Sequence, residues 1–303
     1  MDPLTPVASG MSDSANRTPR TVAVVGLGLI GGSLVRGLAS QPAPPRVLGV
    51  SPDAGDREGA ERQPGVVAVA DAADVVGEAD VVVYATPMHV ILDLLPVHAR
   101  RFRDDALVTD VAGLKRPVLD AARQAGLAGR FVGSHPMAGG EATGFDGGRP
   151  DLFQDAQVWL CADPPLDPFR SARLEAFWRA LGASPEWADP DVHDRLMVQV
   201  SHLPQLVSNA LALALESAGV APANLGPGGR DMTRLAASSP GVWADLIGYT
   251  ATDAAKLLRE LGAQVEGLAA RLEAGEVEAV AELMAQTRGW RTGPNDSKGR
   301  ISQ

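Results

Sequence analysis

The chain has 303 residues, enough for two ordinary domains, and 37 acidic against 27 Lys and Arg side chains leave a formal charge of -10 with no basic run. That balance argues against nucleic acid and anionic membranes as partners. A single cysteine, Cys161, excludes an intramolecular disulfide framework and a Cys-rich metal site, so no metal is expected.

The N-terminal stretch MDPLTPVASGMSDSANRTPR carries acids where a secretory signal is basic and lacks an apolar core. Met1 and Met11 both stand as starts, and residues 1–19 read as a disordered tail. No apolar run approaches the roughly 20 residues of a membrane helix, so no membrane partner is expected and the cytoplasm is the expected compartment.

From Thr21 onward, short apolar runs alternate with segments of helical length. The runs are TVAVV (21–25), RVLGV (46–50), VVAVA (66–70), ADVVVYA (79–85), ALVTD (106–110) and RFVG (130–133). Continuous Val/Ala runs suit strands covered on both faces, which predicts a Rossmann-type α/β fold with a doubly wound parallel sheet over residues 20–188. QVWLC (157–161) adds a strand, and a helix is expected from Phe169 to Leu181.

Past Trp187 no strand is evident. Asp189-Pro190 starts a helix running towards Ser217, with Pro204 predicting a kink. A second long helix after Pro240 places Leu257, Leu261, Val265, Leu268 and Leu272 on one stripe. Core packing is the simpler expectation for that stripe, and a homodimer through this all-helical C-terminal domain, residues 189–290, is the expected assembly. Residues 291–303 read as a polar disordered tail.

Strand TVAVV runs into GLGLIGGSL, which frames Gly26, Gly28 and Gly31 as GxGxxG, with Leu29 and Ile30 inside it. Such a frame between a strand and a helix binds a dinucleotide. Gly26 makes the tight turn, Gly28 lets a pyrophosphate approach the backbone, and Gly31 packs helix on strand. The helix N-terminus adds N–H donors for the phosphates.

NAD is the expected cofactor, with NADP as the alternative. The position that normally reads the ribose falls on Ser51; Asp53 would bind ribose hydroxyls, whereas Ser51 with Arg57 would accept a 2′-phosphate. Thr86 and Pro87, at the carboxyl edge of the fourth strand, border the cofactor or form a plain turn.

Five histidines are available for acid-base work near neutral pH: His89, His98, His135, His193 and His202. His98, among Arg100, Arg101 and Arg103, is expected on a solvated face, and His89 begins a helix. His193 and His202 share a predicted helix, and nine residues of regular helix would set them on opposite sides. Arg195, Gln199, His202, Gln205 and Asn209 form a polar stripe that faces either solvent or a polar pocket. His135 follows the sixth strand in the glycine-rich GSHPMAGGEATG (133–144), as a substrate-facing base or as a structural histidine.

Five segments together resemble the prephenate and arogenate dehydrogenase family: VVGLGLIGGSL (24–34), DVAGLK (110–115), GSHPMAGGEATG, HDRLMVQVSHLPQ (193–205) and GRDMTRLAASSPGVW (229–243). The resemblance spans about residue 21 to 290. It implies oxidative decarboxylation of prephenate to 4-hydroxyphenylpyruvate in tyrosine biosynthesis, with hydride passed to a nicotinamide cofactor; the alternatives are arogenate oxidation to tyrosine and a dinucleotide sensor without turnover.

It also implies residue roles. His135 is the base at the C4 hydroxyl, Arg234 binds substrate carboxylate, and His202 is a second substrate contact. Glu141 gates or orients, and Arg230 and Trp243 border the substrate. One departure stands out: where the family often reads DVGSVK, this chain has DVAGLK. Gly113 therefore replaces the serine that shares the C4 hydroxyl, leaving a water, a neighbouring hydroxyl such as Ser134, or the cofactor amide to substitute.

Overall fold

The computed structural model describes residues 19–293 except Glu141, so most of both expected tails, and Glu141, lie outside the described residues. The chain divides into two compact units, Met1–Asp194 and Arg195–Gln303.

In the first unit, eight strands form one sheet among the described residues: β1 (Thr21–Val25), β2 (Arg46–Val50), β3 (Val66–Val69), β4 (Val81–Tyr84), β5 (Leu107–Asp110), β6 (Phe131–Pro136), β7 (Gln157–Cys161) and β8 (Ser184–Trp187), in the order β3-β2-β1-β4-β5-β6-β7-β8. β1 to β6 are parallel, and the order reverses between β1 and β4. Helices α1 (Leu29–Ala39), α2 (Ala54–Glu61), α3 (Met88–His98), α4 (Arg116–Gln124) and α5 (Pro168–Ala180) connect the strands.

Val22 to Val25 and the whole of β4 are buried, as a central strand covered on both faces requires. Beside the sheet, Trp178 meets Phe153 and Phe177 edge-on, each at 5.5 Å between ring centres.

The sheet departs from the sequence reading in three ways. β7 runs antiparallel to β6, and β8, unseen in the sequence, is parallel to β7. Its residues, SPEW, contain Pro185, which an edge strand tolerates because one side of its backbone needs no partner. β6 also runs three residues beyond the apolar run, because Gly133 to Pro136 pair with Cys161 to Val158. His135 therefore stands on a strand rather than in a loop.

His98 is a further correction, being only 1% exposed, with Nδ1 2.8 Å from the Tyr84 hydroxyl. Its neighbouring arginines mark a solvated turn, but the last residue of α3 points back at the sheet. Burial holds the His98 imidazole below its ordinary pKa and pushes the Tyr84 phenol up.

Asp189 Oδ1 accepts from the N–H groups of Asp191 and Val192 and opens α6 (Pro190–Met197). The next residues, Val198–His202, wind as a π-helix before α7 (Leu203–Ser217). The predicted disturbance at Pro204 takes this form because proline has no N–H for the carbonyl one turn earlier. A regular 3.6-residue period consequently does not describe the spacing of His193 and His202.

The second unit continues with α8 (Pro227–Thr233), α9 (Pro240–Glu273) and α10 (Val277–Thr292), which runs two residues into the expected tail. The α9 stripe is not a covered core within this chain: Val265 and Leu272 are 58% and 59% exposed. Met284 and Trp290 on α10 are exposed as well. No helix among the described residues is long and apolar enough to cross a membrane.

Candidate active site

The glycine turn follows β1 at the sheet's switch point, where ligands bind in open α/β sheets. Gly26 has φ +101°, a conformation open to glycine, and a Cβ there would come within 2.6 Å of the Ala85 carbonyl oxygen. A Cβ on Gly31 would lie 1.8 Å from the Gly26 oxygen, so helix α1 reaches the strand only because residue 31 has no side chain. Nothing lies within 4 Å of a Cβ built on Gly28, which leaves its backbone open to a ligand.

Leu29 and Ile30 are partly buried against the core, and Leu29 lies 3.6 Å from a Cβ built on Gly140. Residues of the glycine-rich segment that begins at Gly133 thus lie beside the dinucleotide turn. Across the turn, the Thr86 hydroxyl is buried without a partner among the described residues, an orphan that a bound ligand would satisfy. Pro87 precedes α3 in extended conformation.

At the end of β2, Ser51 donates its hydroxyl to Asp56 and accepts from the Asp53 N–H, both at 3.2 Å. Asp53 caps α2 through the Asp56 N–H, and Arg57 donates to the carbonyls of Ser51 and Pro52. Carboxylates that suit ribose hydroxyls and a guanidinium that suits phosphate therefore share this corner.

His135 pairs in register with Trp159 of β7, and its Nδ1 lies 3.0 Å from Nε2 of His193. The two rings meet edge to face at 5.2 Å. His193 is fully buried, Trp159 packs edge-on against it, and its Nδ1 is 2.7 Å from Asp194 Oδ1.

The Asp194 carboxylate also accepts the backbone N–H groups of Lys115 and Arg116, at 2.8 and 2.9 Å. It thereby caps α4 from a distant segment, where the helix dipole favours negative charge. Burial acts to raise the Asp194 carboxyl, but the hydrogen bonds from His193, Lys115 and Arg116 outweigh it and hold the group below its ordinary pKa. Arg116 fastens the same corner by gripping Asp191 through two nitrogens and Asp163 through a third.

Beneath His135 lies a fully buried ion pair, Lys115 Nζ to Asp110 Oδ2 at 2.5 Å. Lys115 also donates to the Ser134 carbonyl, and the Ser134 N–H donates to Asp110. Complete burial pushes the Asp110 carboxyl up, against the opposing Lys115 charge. The Ser134 hydroxyl is committed to Thr109, at 2.7 Å, and to the Trp178 N–H, at 3.0 Å. Neighbours on a strand face opposite sides, so Ser134 does not stand in for the serine missing at Gly113.

In the second unit the ring of His202 meets that of Trp243 edge-on at 5.6 Å. Thr250 donates its one hydroxyl proton to the Leu246 carbonyl, so it accepts from His202 Nδ1 at 3.0 Å. Arg234 opens a single helical turn, Arg234–Ala237, which Gln205 and Ser208 of α7 hold through Leu235 and Ala236. Arg230 donates to the Leu225 carbonyl, and both arginines are exposed.

The sequence offered His193 as one of five histidines, and Asp194 only as part of the HDRLMVQVSHLPQ block. Nothing in their local pattern indicates that they join His135.

This fold and glycine cradle define a nucleotide-binding α/β protein of the dehydrogenase type. The family pattern described as prephenate dehydrogenase, nucleotide-binding domain, matches residues 38–186, and that described as prephenate dehydrogenase, dimerization domain, matches residues 189–286. The chain belongs to the prephenate dehydrogenase family.

It is 29% identical to a prephenate dehydrogenase of Bacillus subtilis (strain 168), over 94% of this chain and 79% of that protein. It is 30% identical to a cyclohexadienyl dehydrogenase of Zymomonas mobilis, over 75% of this chain and 79% of that protein. Among solved structures, Synechocystis arogenate dehydrogenase is 30% identical with a TM-score of 0.75, covering 89% of this chain and 98% of that one. The prephenate dehydrogenase of A. aeolicus, in complex with hydroxyphenyl propionate and NAD+, shares the fold at 24% identity, with a TM-score of 0.83 over 91% of this chain and 98% of that one.

Proposed function

We propose that this chain is an NAD-dependent prephenate dehydrogenase in which His135 is the base. The observation that carries the reading is His135 on the extended end of β6, tied through Nδ1 to His193, with the Gly140 segment beside the dinucleotide turn. NAD is favoured by the A. aeolicus relative, which was solved with NAD+.

When bound, NAD supplies the carbon that accepts hydride from C4 of the cyclohexadienol. Gly26, Gly28 and Gly31 would hold it at the turn, with Leu29 and Ile30 alongside; Ser51 and Asp53 would take its ribose, and Thr86 and Pro87 would border it. His135 takes the proton of the C4 hydroxyl as the hydride leaves, the C4 oxygen becomes a carbonyl, and loss of CO2 returns an electron pair that aromatises the ring. A positioned base of this kind contributes about 10²–10⁴ in rate. Arg234 binds a substrate carboxylate through its planar guanidinium; His202, Arg230, Glu141 and Trp243 complete the substrate contacts.

Arogenate is the second reading, favoured by the similarity to the cyclohexadienyl and arogenate dehydrogenases. Steady-state assays of prephenate and arogenate, each with NAD and with NADP, decide between them. The highest kcat/KM is expected for prephenate with NAD; dinucleotide binding without turnover of either substrate would favour a sensor.

The functional unit is a homodimer through the helical domain. Exposed Val265, Leu272, Val277, Met284 and Trp290 support this reading, as does the description of the second family pattern. Light scattering is expected to give twice the chain mass of 31.5 kDa. A monomeric mass at micromolar concentration would refute the assembly.

A further inference from the structure

With His135 read as the base, we propose that Lys115 is its positioning residue. The Lys115 side chain takes the place of a neighbouring strand and holds β6 in line beyond the end of its ladder with β5.

Backbone groups on a strand point alternately to its two sides. The Met137 N–H donates to the Gln157 carbonyl on the β7 side at 2.8 Å, so the N–H and C=O of Ser134, an odd number of residues earlier, face the other way, towards β5. The ladder between β5 and β6 has by then ended, with Thr109 against Val132, and β5 itself stops at Asp110. Ser134 is fully buried, and an unmet peptide group there costs as much as a lost hydrogen bond.

The Asp110–Lys115 pair fills the gap. Asp110 Oδ1 accepts the Ser134 N–H at 3.2 Å, and Lys115 Nζ donates to the Ser134 carbonyl at 2.7 Å while its contact with Asp110 Oδ2 ties the two side chains together. An acceptor and a donor thus stand where β5 would have offered a peptide unit. Gly133 belongs to the same arrangement: a Cβ there would lie 2.8 Å from Lys115 Cδ, so the lysine stem passes β6 only because residue 133 has no side chain. With Thr109 and Trp178 on its hydroxyl, every polar group of Ser134 is engaged, and His135 is the next residue.

Lys115 also reaches the imidazole from the other direction. Its own backbone N–H donates to Asp194 Oδ1, the atom that His193 Nδ1 contacts, and His193 Nε2 in turn contacts His135 Nδ1. One residue therefore fixes both the peptide that precedes His135 and the carboxylate behind the ring that touches it. Such precision matters to a base, because a displacement of about 1 Å costs as much as about 10²-fold in rate.

The test uses the full chain carrying Asp110→Asn together with Lys115→Met. This pair of substitutions buries no charge and keeps a side-chain carbonyl for the Ser134 N–H, but it leaves the Ser134 carbonyl without Nζ. Although the double variant regains folding stability over Lys115→Met alone, its kcat with the better of prephenate and arogenate is expected to stay about 10–100-fold below the parent chain, with KM and the Kd for NAD within about threefold. A pair that served folding alone would return kcat together with stability, and that result would overturn the proposal.

Hydrogen exchange followed by mass spectrometry supplies a readout that needs no turnover. Under native conditions, peptides covering residues 131–137 are expected to exchange faster in the double variant, while those covering the glycine turn at 24–34 keep the parent's rate. Exchange at 131–137 unchanged from the parent likewise counts against Lys115 as the positioning residue. Full turnover in His135→Asn removes the base reading instead, and exchange at 131–137 still reports whether Lys115 holds the strand.

Discussion

Replacing His135 with Asn is expected to reduce prephenate-dependent turnover by about 10²–10⁴-fold, the contribution of a positioned general base. The substitution is chosen for what it keeps. An Asn amide reaches roughly where imidazole Nδ1 lies, so it still hydrogen-bonds His193 Nε2, the partner seen at 3.0 Å. What it lacks is an imidazole nitrogen that takes up a proton near neutral pH. The Kd for NAD and the unfolding midpoint should therefore stay near those of the parent chain while kcat falls.

The pH profile gives the sign. The base works only as neutral imidazole, so kcat/KM of the parent chain falls as pH drops through the His135 pKa. In the Asn variant the residual rate should lose that limb. Turnover within about threefold of the parent, against the 10²-fold minimum expected for a general base, would take the role from His135.

Lys115→Met is expected to cost about 3–5 kcal/mol of stability, the usual penalty for leaving one partner of a buried pair alone. Both side chains are fully buried, and the Asp110 carboxylate keeps only the N–H groups of Ala112 and Ser134 once Nζ is gone. The Ser134 carbonyl also loses its donor, which loosens the strand residue before His135. Urea unfolding measures the loss.

The double variant Asp110→Asn, Lys115→Met should recover much of that loss, because no charge is then left buried. A single variant as stable as the parent would mean that water or a rearranged side chain reaches Asp110. A double variant no better than the single would assign the loss to packing of the lysine stem.

The sheet was legible because its strands are covered on both faces, and that burial writes itself into the chain as Val/Ala runs such as TVAVV and ADVVVYA. The glycine turn was legible for a similar reason: each glycine answers a local demand, confirmed at Gly26 by a positive φ and at Gly31 by the absence of room for a Cβ. The family blocks pointed to His135, His202 and Arg234 as residues with chemistry to perform.

β8 was not legible, because an edge strand that pairs through its backbone needs no apolar run and tolerates Pro185. The burial of His98 was hidden by the arginines after it, since charge along the chain reports the turn and not the direction of one side chain. Glycine-rich composition likewise suggested a loop at 133–136, where pairing with β7 makes a strand.

By itself, then, the sequence determined the two-part organisation, the dinucleotide turn and the family, all of which rest on local spacing and period. Only the tertiary structure decided which groups surround His135. His193 and Asp194 arrive from 58 and 59 residues further along the chain, and Asp194 is held by the first residues of α4. A hydrogen-bonded chain that crosses three separate segments has no period, so it becomes visible only when the backbone brings those segments within 3 Å or so of one another.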